Sequence, residues 1–190
     1  MDDNSEDLRD QFYIARAEAL NSYALMEQSL SFLFASRLGT APQYATLIVS
    51  KIVNTRARNE VIQRIVDDSS ARLFRPFTNS LFTQIGKADG LRNQLVHWHV
   101  EEKEGRFQLK PADLLTTSDA RMSEDEIVDL GRQCIFLSAV MMVFRAHLDE
   151  WKSPSLHARF QQPLRYPPEP DDPLSQIGKE PPAQPSTSEG

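Results

Sequence analysis

Leu91-Arg92-Asn93-Gln94-Leu95-Val96-His97-Trp98 holds the residues best suited to chemistry. A guanidinium is always charged and forked, which suits a phosphate oxygen. An imidazole titrates near neutral pH and can take or give a proton. An amide can accept and donate hydrogen bonds and so orient a neighbour. Arg plus His at this separation is weak information by itself. Fifteen Arg and four His among 190 residues should give such a spacing about once by chance, and an adjoining Asn makes the coincidence roughly thirtyfold rarer (composition arithmetic,). At 100° per residue, Arg92, Asn93, Val96 and His97 fall within about 140° of one helix side, with Leu91, Leu95 and Trp98 opposite. Asn93 and His97 stand one turn apart, so the amide could orient the ring. The bland alternative pairs Arg92 with an acid such as Asp89 and leaves His97 to a backbone carbonyl. Other constellations carry less. His97-Trp98-His99 offers two imidazoles, short of a full metal site. Walker, nucleophile-elbow and dinucleotide motifs are absent from the sequence.

Positioning these residues requires helices. A long helix is expected over 7–38 from Leu8, Phe12, Ala15, Ala19, Met26, Leu30 and Leu33, stopped by Gly39 and Pro42. Shorter helices fit 42–53 and 56–66, the second capped by Thr55. The motif helix runs from about Pro76 to Trp98, weakened by Gly86 and Gly90, so that a kink near Asp89 is open. Residues 99–110 suggest a small hairpin around Gly105. The last helix starts on a Ser123/Glu126 capping box. It continues through Ile127, Leu130, Cys134, Leu137, Met141, Phe144, Leu148 and Trp151 at 3–4 spacing. Ile135, Phe136, Val140 and Val143 widen the stripe past half the circumference. Such a helix is expected to be central, or to pair with a second copy. Nine of the twelve prolines lie in 153–190, a segment expected to be a disordered tail. Its Pro167-Pro168-Glu169-Pro170 and Pro181-Pro182 runs could dock a partner. The expectation is therefore all-α: an up-down bundle of four to five helices over 1–152, then a proline-rich tail over 153–190.

Bulk composition sets wider bounds. Hydrophobic residues make up 40% of the chain, enough for a core. No run approaches 18 apolar residues, so no membrane span is expected. The start, Met1-Asp2-Asp3-Asn4-Ser5-Glu6-Asp7, lacks the apolar region of a signal peptide. The one cysteine, Cys134, has no partner for an internal disulfide and falls on the apolar stripe. A cytoplasmic location is the expectation. The net charge of −6 is uneven: residues 51–92 hold eight bases against four acids. The basic middle ends at Arg92 and is compatible with phosphate binding or with a solvated helix face.

The R-N-x-x-x-H segment, set near the end of a helix before a long final helix, resembles the signature of HEPN domains. The similarity covers roughly 7–151, of which only the short motif is specific. The resemblance implies a helical bundle paired as a homodimer. It implies RNA cleavage without a metal or other cofactor, with the two motifs meeting across the dimer axis. Arg92 and His97 then match the catalytic pair and Asn93 its polar neighbour. His99 satisfies the longer spacing also used in the family. A toxin or defence effector held by a protein antitoxin would fit. So would a catalytically silent module that binds RNA or a protein partner. An unrelated helical dimer with an accidental motif is the third reading.

Overall fold

The computed structural model describes residues 3–70, 72–112, 120–150 and 153–177. These form six α-helices and a three-stranded antiparallel sheet. The protein is mostly helical, as expected, but the sheet makes it other than purely α.

Helix α1 spans Asp3–Leu38. Phe12, Ala15, Ala19, Met26, Leu30 and Leu33 are buried, whereas Leu8 is exposed. The helix stops where expected. Gly39 takes φ +62°, and Thr40 N–H donates to Ala35 O at 3.1 Å, satisfying an orphan carbonyl of the last turn. Helices α2 (Pro42–Lys51) and α3 (Thr55–Ser69) follow. Asn54, not Thr55, caps α3: its side chain accepts from Ala57 N–H at 3.0 Å. Asn54 keeps the extended backbone a cap requires, while Thr55 is already helical.

Helix α4 (Arg75–His97) runs unbroken through Gly86 and Gly90. Ala88 and Asp89, between the two glycines, are buried, and Asp89 is hydrogen-bonded to two other helices. Tertiary contacts thus offset the weak local propensity. Strands β1 (His99–Lys103) and β2 (Arg106–Lys110) form the expected hairpin. Glu104 and Gly105 both take positive φ, as a two-residue turn between twisted strands demands. The short strand β3 (Met122–Ser123) pairs with β2 and was not foreseen.

Helix α5 (Glu124–Glu150) opens on the expected capping box. Ser123 N–H donates to the Glu126 carboxylate at 2.8 Å, and Glu126 N–H donates to Ser123 Oγ at 3.3 Å. Its stripe from Ile127 to Leu148 is buried; Trp151 lies outside the described residues. Helix α1 packs alongside it. A Cβ on Gly131 would meet Ala19 Cα at 3.5 Å, so small residues set this close approach. Ser29 and Ser138 hydroxyls bond across it at 2.7 Å. By length and composition, α5 is the one helix among the described residues able to cross a membrane; here its stripe from Ile127 to Leu148 is buried, while Ile135 is exposed.

The expectation of a disordered tail fails for 153–177. Helix α6 (Pro154–Arg159) is capped by Ser153. Phe160 then packs against both Phe77 and Phe144, with ring centroids 4.8 and 4.9 Å away. Leu164 N–H donates to Ser80 Oγ at 2.6 Å, and Leu164 and Leu174 are buried. Tyr166 packs on Phe136 and donates to Asp129 at 3.1 Å. Arg159 pairs with Asp172 through two bonds of 2.8 Å. Proline content hid this packing because the anchoring residues are few and widely spaced. The boundary drawn at 152 therefore cuts through one hydrophobic core. The Pro181-Pro182 run lies outside the described residues.

Candidate functional site

The last two turns of α4 divide as the helical geometry predicts. Leu95 is fully buried, and Leu91 and Trp98 pack on the core. On the other side Arg92 is half-buried, and Asn93, Val96 and His97 are exposed. The end of the helix is fixed from outside: the Arg16 guanidinium on α1 donates to the Leu95 carbonyl, one of the four that a helix end leaves unpaired.

Arg92 lies with its guanidinium carbon 5.6 Å from the centre of the Tyr23 ring on α1. This is a cation–π contact. Its Nη1 also donates to Asn93 Oδ1 at 3.3 Å. Among the described residues, no carboxylate lies within ion-pairing distance of Arg92, so the bland pairing with Asp89 does not form. Asn93 is joined to Arg92 rather than to His97, whose ring makes no hydrogen bond among the described residues. His99 is separated from the motif helix: it opens β1, opposite Lys110, and is exposed.

Beneath Arg92 lies a polar cluster that sequence reasoning missed. Asp89 is only 5% exposed. Its carboxylate accepts from the Tyr23 hydroxyl at 2.6 Å, from Asn59 Nδ2 at 2.7 Å and from Arg58 Nη2 at 3.4 Å. Arg58 also pairs with Glu27 and donates to Asn59 Oδ1. Burial, then the bond to Asp89, pushes the Tyr23 phenol well above its ordinary value. Burial works against the charge on Arg58, but the bonds to Glu27 and Tyr23 outweigh it and hold the guanidinium protonated. A buried charge needs such full pairing. The signal was in the sequence: Asp89 continues the buried positions Phe82 and Ile85 on α4, where an acid must find partners.

The cluster also uses up part of the basic middle. Arg58 is internal, while Arg56 and Arg64 pair with Glu60 and Asp68 along α3. The field around Arg92 is therefore less positive than the residue count suggests. Cys134 is buried, and burial with nearby Asp89 pushes its thiol up to about 12, so it is neither a ready nucleophile nor a ready ligand. Among the described residues, no three His, Cys, Asp or Glu side chains stand together as a metal site.

A groove of about 560 Å³ runs between α3 and α4 and reaches Asn93. The site as a whole is a surface-directed Arg–Asn–His set at the end of a helix, braced by a buried ionic cluster and bordered by a polar groove. That class of arrangement suits binding and proton transfer at an anionic ligand. Comparison with family models, with curated proteins and with solved structures finds no match.

Proposed function

We propose that the protein is a HEPN-type endoribonuclease that cleaves RNA without a metal. The observation that carries this reading is the placement of Arg92. Its charge is set on the Tyr23 face with no carboxylate to neutralise it, on the helix that also presents His97 to solvent. Asp89, the nearest acid in sequence, is already taken by Tyr23, Asn59 and Arg58, so the Arg92 charge is left for a ligand.

RNA supplies its own nucleophile. A base takes the 2′-hydroxyl proton, and the oxygen attacks the adjacent phosphorus. The bond from phosphorus to the 5′ oxygen breaks as an acid protonates that oxygen. The products are a 2′,3′-cyclic phosphate and a 5′-hydroxyl. One imidazole does not readily serve both ends of this step. The reading therefore includes an up-down helical bundle paired as a homodimer, in which two copies of His97 divide the roles of base and acid. The two Arg92 side chains stabilise charge on the five-coordinate transition state. Val96, apolar and 40% exposed between Asn93 and His97, is a contact such a partner would cover. A cytoplasmic toxin or defence effector, held in check by a protein antitoxin, is the setting that fits.

The test is cleavage of RNA by the purified full chain in EDTA, read by 2′,3′-cyclic phosphate ends. His97→Ala should slow it by about 10²–10⁴-fold, the usual worth of general acid–base catalysis, and Arg92→Ala by a comparable factor. His99→Ala, on a separate strand, should do much less. Equal cleavage by wild type and His97→Ala would overturn the reading. RNA binding with no cleavage would replace it with the silent binding module.

A further inference from the structure

We propose that the groove between α3 and α4 is a nucleobase-binding subsite, which receives an unpaired base of the RNA next to the scissile phosphate. The choice of RNA as the source of that base rests on the ribonuclease reading; the shape and chemistry of the groove do not.

The volume of about 560 Å³ falls within the roughly 300–1,000 Å³ of small-molecule sites. Its lining is amide-rich: Asn59, Gln63, Asn79 and Asn93 all contribute. A carboxamide carries a donor and an acceptor side by side and matches the edge of a base. Two of the four already hold each other, Gln63 Nε2 donating to Asn79 Oδ1 at 2.8 Å, and Asn59 is fixed by Asp89 and Arg58. The recognition surface is thus preorganised. Asn93 belongs both to the groove and to Arg92, through the 3.3 Å bond, so a base in the groove would have its phosphate toward Arg92. Of the charged residues that line it, Arg56 and Glu60 bond to each other at 3.0 Å, and Asp89 is taken by Tyr23, Asn59 and Arg58. The groove therefore suits a neutral ring better than a phosphate.

Two glycines on the wall of the groove point the same way. Gly86 and Gly90 lie one turn apart in α4, and both line the groove. Glycine inside a helix costs roughly 0.5–1 kcal/mol relative to alanine. Packing does not call for either one: a Cβ at each would meet nothing within 4 Å. Gly131, with Ala19 at 3.5 Å, shows what a packing glycine looks like here. At 86 and 90 an added side chain would instead enter the groove. Bare backbone there lets a flat ring lie close to the helix, above the buried Phe82.

The experiment is a titration of the isotope-labelled full chain with adenosine, guanosine, cytidine and uridine, followed by the backbone amides of Gly86 and Gly90. One nucleoside should shift both amides at the lowest concentration. Gly90→Met, which fills the groove with a good helix former, should weaken that binding by about tenfold or more, comparable to one lost bidentate contact. Its melting temperature should not fall. Absence of shifts with all four nucleosides, or shifts that persist in Gly90→Met, would overturn the proposal. The two readings fail separately. Nucleoside binding in a chain that never cleaves RNA removes only the ribonuclease. Cleavage through His97 without any response at Gly86 and Gly90 removes only the subsite.

Discussion

At the scale of single residues, Tyr23 links stability to the site. Its ring carries Arg92 and its hydroxyl serves Asp89. Tyr23→Phe keeps the ring but leaves a buried carboxylate short of one donor, at a cost of about 1–3 kcal/mol. Urea denaturation should show that loss while RNA cleavage falls little. Tyr23→Leu removes the platform as well, and cleavage should drop toward the Arg92→Ala level. Asp89→Ala leaves the buried Arg58 with Glu27 as its remaining carboxylate partner and should cost about 3–5 kcal/mol, a large part of the total stability of a domain. His147 gives a pH test. It is buried against Phe74 and Phe160, with Nε2 3.2 Å from His157 Nδ1. Burial first, and His157 second, lower its pKa below the ordinary 6.5. The unfolded chain therefore takes up a proton at a pH where the folded chain does not. Stability is unaffected well above 6.5 and declines as pH falls below it. Melting temperature should be flat from about pH 8 to 7 and drop between about 7 and 5, with a shallower slope in His147→Leu. Asp172 acts in the same direction only at lower pH. Its burial raises the carboxyl, but Arg159 and the Leu174 N–H outweigh this and hold it below 3.8.

At the scale of elements, the segment 153–177 carries the sharpest expectation. Phe160 is fully buried among Phe77, Phe144 and His147. Phe160→Ala should cost about 3–5 kcal/mol, measurable as a lower urea midpoint. A chain ending at 152 should lose more, since Leu164 and Leu174 leave the core too. An unchanged melting curve for that truncation would mean that the segment does not pack on α4 and α5. In α4, Gly86→Ala and Gly90→Ala should each stabilise by roughly 0.5–1 kcal/mol, because nothing stands in the way of a Cβ. Proteins commonly keep such a cost where function needs it.

At the scale of the molecule, the motive for pairing changes. The apolar breadth of α5 was the reason to expect a second copy. In the structure α1 and the 153–177 segment cover much of it within one chain. On the homodimer reading, the face that pairs is the one that carries the site. Light scattering of the full chain should give twice 21.6 kDa. Val96→Glu should return it to one chain and reduce cleavage, with the helical signal unchanged. A wild-type chain that is monomeric at tens of micromolar yet cleaves RNA would rule out a shared active site.

Local rules were enough for much of this protein. The stop at Gly39, the capping box at Ser123, the hairpin at Glu104-Gly105 and the solvent-facing side of Arg92, Asn93 and His97 all follow from backbone preference or from helical period. Each depends on residues within a turn or two of one another, so each is legible in the chain. Tertiary structure decided the rest. Asp89 finds its partners on α1 and α3, 66 and 30 residues away, and no local pattern names them. β3 exists only because β2 offers it an edge. Phe160 is one of two aromatics in a proline-rich stretch until Phe77 and Phe144 pack on it. Burial is a property of neighbours, and neighbours distant in sequence are set by the fold.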